Sequence, residues 1–95
     1  MREISMRIAN RLGPLFNYDL SSLSPNEKLA EHKDLNYDSM SVMECVVLIQ
    51  DEFDINIDFV SDDVRHTFAT LENIASMVRR KLDDKARLAN TQLGF

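Results

Sequence analysis

Between Ser39 and Phe53 the chain runs fifteen residues without a glycine or proline, and Met43, Val46, Val47, Ile49, Gln50 and Phe53 recur at helical spacing. Acids at Glu44, Asp51 and Glu52 fall mostly off that stripe, so the segment reads as an amphipathic helix with one face for a core. Its start is marked chemically. Asp38 or Ser39 can cap the open amides, and Ser41 with Glu44 offers a second capping register. The whole chain has only 2 glycines and 2 prolines among 95 residues, which disfavours a turn-rich sheet protein.

The other elements follow from the same periodicity. Ile4, Ile8 and Leu12 share a face and predict a helix over Glu3–Leu12, which Gly13-Pro14 should end or kink. Asn17 to Asp38 reads as a long irregular connection, pinned to the core by Leu20, Leu23, Leu29 and Leu35. Within it, Ser24-Pro25-Asn26-Glu27 has the residue order of a capped helical turn. Asp54 to Asp63 predicts an extended connector with Ile57 packed inward, followed by a short helix over Ser61–His66 capped by Ser61. Leu71, Ile74, Ala75, Val78 and Leu82 form the stripe of a last helix, with Thr70 at its N-cap and Arg79, Arg80 and Lys81 near its negative end. Residues 83–95 read as a polar tail or a helix extension, with Leu88 and Leu93 available to lengthen the helix or meet a partner. The expectation is an all-α fold, a small four-helix bundle of three longer helices and one short one, with a long first loop. Residues 1–82 would form the domain.

Charge is unevenly placed. Nine of the 16 acids lie between Asp34 and Asp63, a stretch with no lysine or arginine. The other seven acids and all 11 basic residues lie outside it. Such a block repels nucleic acid and attracts basic protein surfaces. No apolar run approaches the roughly 20 residues of a membrane span. The N-terminal residues lack a signal-peptide core, and the single cysteine, Cys45, fits a reducing compartment. A cytoplasmic monomer is expected. Asp54, Asn56 and Asp58 imitate the first ligands of a calcium loop, but Phe59 stands where glycine is needed and Arg65 where a bidentate glutamate is needed. No metal site is expected.

The chemistry-bearing segment is Leu35-Asn36-Tyr37-Asp38-Ser39-Met40, at the junction of loop and helix. Val42-Met43-Glu44, Glu52-Phe53, Ile57 and Phe68-Ala69-Thr70-Leu71 follow it. In this arrangement, from about Ile4 to Leu82, the chain resembles the acyl carrier protein family. Met40 stands in place of the family's leucine, Ser41 and Gln50 in place of frequent acids, and Asn36 in place of a frequent glycine. The resemblance implies an acyl carrier and no catalytic residues. A 4'-phosphopantetheine arm, taken from coenzyme A by a phosphopantetheinyl transferase, would be attached at Ser39 beside Asp38. The arm would hold acyl intermediates as thioesters for enzymes of fatty-acid, lipid or polyketide-type synthesis. It further implies that Met40, Glu44, Val47, Asp51 and Glu52 meet basic docking patches on those acyl-transferring and acyl-modifying enzymes. An aminoacyl or D-alanyl carrier and an unmodified acidic interaction module are the alternatives.

Overall fold

Helix α1 (Arg2–Phe16) buries Ile8, Ala9 and Leu12, with Ile4, Leu15 and Phe16 half-buried against the same core. The computed structural model describes residues 2–93, with side chains through Leu88. Contrary to the expected stop at Gly13-Pro14, α1 continues through Pro14 to Phe16. Proline removes only the bond to the carbonyl of Asn10, whose residue faces solvent, while Leu15 and Phe16 gain burial by continuing the turn. The helix then ends at Asn17, which takes a left-handed φ of 52°. Gly13 is needed for close approach. A β-carbon there would sit 3.0 Å from the Tyr18 carbonyl oxygen.

The long connection is tied down rather than free. Leu20, Leu29 and Leu35 are buried. The Leu29 amide donates to the Ala69 carbonyl at 2.9 Å, and the Glu72 amide donates to the Pro25 carbonyl at 3.0 Å. Two short 3₁₀ turns, Leu20–Ser22 and Leu29–Glu31, shape it. Ser24 accepts from the Glu27 amide through its carbonyl at 3.1 Å, closing a turn instead of the expected helical start.

Helix α2 (Ser39–Phe53) matches the predicted span. Its buried residues are Cys45, Val46, Ile49 and Phe53, and Val42 packs against them. The core walk therefore begins at Val42. Met43, expected in the core, is 57% exposed. At about 100° per residue, Val42 falls on the line of Val46, Ile49 and Phe53, whereas Met43 turns toward Met40 and Val47. Beyond α2 the chain reverses through Asp54, at a left-handed φ of 53°. Gln50 then accepts the Ile57 amide at 2.8 Å, which packs Ile57 inward as expected.

Helix α3 (Val64–Thr67) starts later than predicted, and Ser61 does not cap it. The Ser61 amide is instead held by the Asp58 carboxylate at 2.9 Å, which draws Ser61 into the preceding turn. Helix α4 (Leu71–Leu93) has the predicted cap, with the Asn73 amide donating to Thr70 Oγ1 at 3.1 Å. It buries Leu71, Ile74, Ala75, Met77 and Val78. Residues 83–93 prolong it, so the helix-extension reading of that stretch describes the structure; Gly94 and Phe95 lie outside the described residues. Lys85 supports the extension by donating to the Asp54 carbonyl at 2.9 Å and to its carboxylate at 2.8 Å. Lys81 pairs with Asp62 at 3.0 Å. The architecture is all-helical, and no strand occurs among the described residues. Phe68, fully buried, is the largest side chain of the core.

Candidate functional site

The corner at Ser39 is assembled from alternating anchors and exposed groups. Leu35 is buried and fixes the incoming loop. Asn36 makes the bend with a left-handed φ of 49°, a conformation asparagine tolerates better than most residues. Tyr37 turns back into the protein. Its hydroxyl donates to the Phe68 carbonyl at 2.8 Å, and its ring lies 5.6 Å from that of Phe16. Burial raises its phenol far above the ordinary range, so it stays a neutral donor. This tyrosine was not recognised from the sequence as a support of the site. Its place between Asn36 and Asp38 was the available signal.

Asp38 is the cap. Its carboxylate accepts from the Ser41 amide at 2.8 Å and from the Ser41 hydroxyl at 3.0 Å. These bonds, the amide first, hold its carboxyl below the usual carboxylate range. Glu44 is not part of the cap. With Asp38 and Tyr37 both committed, Ser39 begins α2 with its side chain in solvent.

The sign of the Asp38 shift sets a pH dependence. Its folded-state pKa lies below the unfolded one, so its stabilisation is complete above the unfolded value, near 3.9, and is lost as pH falls through the folded value. Asp38→Ala is expected to lower the urea midpoint at pH 7 and to converge on the parent protein in strong acid. A gap that stays constant through that acid range would show that the charged cap is not responsible.

Ser39 lies at a depression of roughly 340 Å³ between α2 and α3, walled by Val42, Met43, Phe59, Val60 and Val64, with Asp63 and Arg65 at its edge. Neither histidine supplies a base in the observed contacts. The His32 Nε2 lies 3.4 Å from the Tyr18 hydroxyl and 3.7 Å from Glu27, and His66 offers its carbonyl to Asn73. No group of three or more His, Cys, Asp or Glu side chains able to hold a metal ion occurs among the described residues. The Asp58 carboxylate is engaged by the Val60 and Ser61 amides, and Asp62 by Lys81.

The residues expected to face partners divide into two sets. Met40, Glu44 and Val47 stand on the exposed face of α2. Asp51 and Glu52 are engaged within the chain. Arg11 meets Asp51 at 2.9 Å. Arg7 donates to the Glu52 carboxylate and carbonyl, both at 3.0 Å, while lying 4.4 Å above the Phe53 ring. Sequence spacing had no means of pairing residues 40 and more positions apart.

Over 46 residues, the chain is 48% identical to the mitochondrial acyl carrier protein of Saccharomyces cerevisiae (strain ATCC 204508 / S288c). The chain is homologous to an acyl carrier protein. The matched stretch is 47% of this chain and spans 37% of that relative's length. No protein-family model matches the chain. The homology and the all-helical bundle agree in pointing to the acyl carrier family. No helix among the described residues is long and apolar enough to cross a membrane.

Proposed function

We propose that this protein carries acyl groups as thioesters on a 4'-phosphopantetheine arm joined to Ser39, and passes them between enzymes of fatty-acid, lipid or polyketide-type synthesis. The observation that carries the reading is the solvent-facing Ser39 hydroxyl at the loop–helix corner, built by Leu35, Asn36, Tyr37 and Asp38. The residues fit the arm. The hydroxyl is accessible, the helix start favours an added phosphate, and the adjoining depression has apolar walls. In loading, Ser39 Oγ forms a bond to the β-phosphorus of coenzyme A. The pyrophosphate bond breaks, adenosine 3',5'-bisphosphate leaves, and the serine proton passes to a base of the transferase. The arm's thiol supplies the thioester chemistry, and the chain itself acts as a carrier rather than a catalyst.

Cys45 gives a clean test. It is fully buried, and burial pushes its thiol up to about 12. The native unloaded protein is therefore expected to show no fast-reacting thiol at pH 8 toward an aromatic disulfide reagent. After incubation with coenzyme A and a phosphopantetheinyl transferase, one fast thiol should appear with the mass gain of one arm. The absence of both gains with several transferases would refute the carrier reading. A cytoplasmic monomer is proposed with it, on the strength of the single free cysteine. Cell fractionation tests this against the mitochondrial location in the relative's name.

A further inference from the structure

The exposed large apolar side chains gather near Ser39. Met40, Met43 and Val47 are 68%, 57% and 60% exposed on α2, and Phe59 and Val60 line the depression at Ser39. Beside that depression runs a second hollow of roughly 460 Å³, lined by Leu15 of α1 and by Met40, Met43, Glu44, Val47 and Leu48 of α2. Met43 is a wall of both. The hollow is thus continuous with the place where the arm would be attached, and it is nearly all hydrocarbon. Its charged member is Glu44, which has no ion pair among the described residues. The neighbouring acids of α2 are already engaged, Asp51 by Arg11 and Glu52 by Arg7. A partner's cation at either position would have to displace an arginine of the same chain.

We propose that this hollow seats an amphipathic helix of a partner enzyme, with an apolar ridge along Leu15, Met40, Met43 and Val47 and a lysine or arginine on Glu44. The inference rests on the carrier reading and refines it. Docking runs mainly through hydrocarbon and one ion pair, and Arg7 and Arg11 withhold the other two carboxylates. Screening by salt acts on exposed charges and spares apolar contact. Leu15 enters as a docking residue contributed by α1.

The test uses the full chain and a phosphopantetheinyl transferase as the partner, reading kcat/KM for loading from intact mass. Val47→Asp and Met43→Asp are each expected to lower it by about tenfold or more, the scale of a buried anchor lost from an interface. Their far-UV spectra should match the parent because both side chains are exposed. The parent's rate should fall less than about threefold between low and moderate salt, and Arg7→Ala with Arg11→Ala should steepen that dependence. Normal loading by both aspartate variants would overturn the proposal, as would a steep salt dependence in the parent. A parent dimer that Val47→Asp dissociates would assign the hollow to a second copy and overturn it too. Failure of the parent to load at all would instead remove the carrier reading beneath it, an outcome distinct from selective loss in the variants.

Discussion

Ser39→Ala is expected to abolish loading completely, leaving the mass of the protein unchanged after incubation with coenzyme A and a transferase. The reason is that nothing nearby replaces its hydroxyl. Ser41 is the next serine on α2, but its hydroxyl donates to Asp38 at 3.0 Å and is held in the cap, one helical turn away from the open corner. Ser41→Ala should therefore still load. The Ser39 side chain faces solvent and makes no cap bond of its own, so its removal should leave the melting temperature within the small range of surface substitutions. A persistent mass gain in Ser39→Ala, or its loss in a correctly folded Ser41→Ala, would move the attachment point away from Ser39.

The largest effect on stability is expected from Phe68→Ala, at about 3–5 kcal/mol. Phe68 is fully buried and is the largest such side chain, and no neighbour is free to fill the space it leaves. Its carbonyl also receives the Tyr37 hydroxyl at 2.8 Å, so the ring and the backbone at this residue join the core to the Ser39 corner. Against a total of roughly 5–15 kcal/mol for a small domain, that loss removes a large fraction of the folding free energy. Urea unfolding should show a much lower midpoint with an unchanged slope. Leu88→Ala, at a side chain 65% exposed on the α4 extension, should cost under about 0.5 kcal/mol. A Phe68→Ala loss no larger than that of Leu88→Ala would contradict the assignment of Phe68 as the centre of the core.

The four helices, the Thr70 cap and the exposed serine at the head of α2 could all be read from residue order. Each is a local matter. Asp38 caps because its carboxylate reaches an amide three residues on, and Asn36 bends because its backbone tolerates a positive φ. The phase of α2 was also encoded, but in angles rather than in a count of apolar residues. Val42 and Met43 are equally apolar neighbours, and only their direction against Val46, Ile49 and Phe53 puts one inward and the other out. Ser61 lost its predicted cap for a comparable reason, since Asp58 offered its amide a competing acceptor.

Tertiary structure alone decided which acids are available. The sequence by itself determined that nine of them crowd the middle of the chain without a local counter-charge. It could not determine that α1 lays Arg7 and Arg11 beside Glu52 and Asp51, or that α4 brings Lys81 and Lys85 to Asp62 and Asp54. Those pairs depend on how helices pack, and packing joins residues by shape across distances in sequence that no local rule spans. The same holds for Tyr37, whose partner carbonyl lies 31 residues onward, and for Pro14, kept in a helix by the burial of the two residues that follow it.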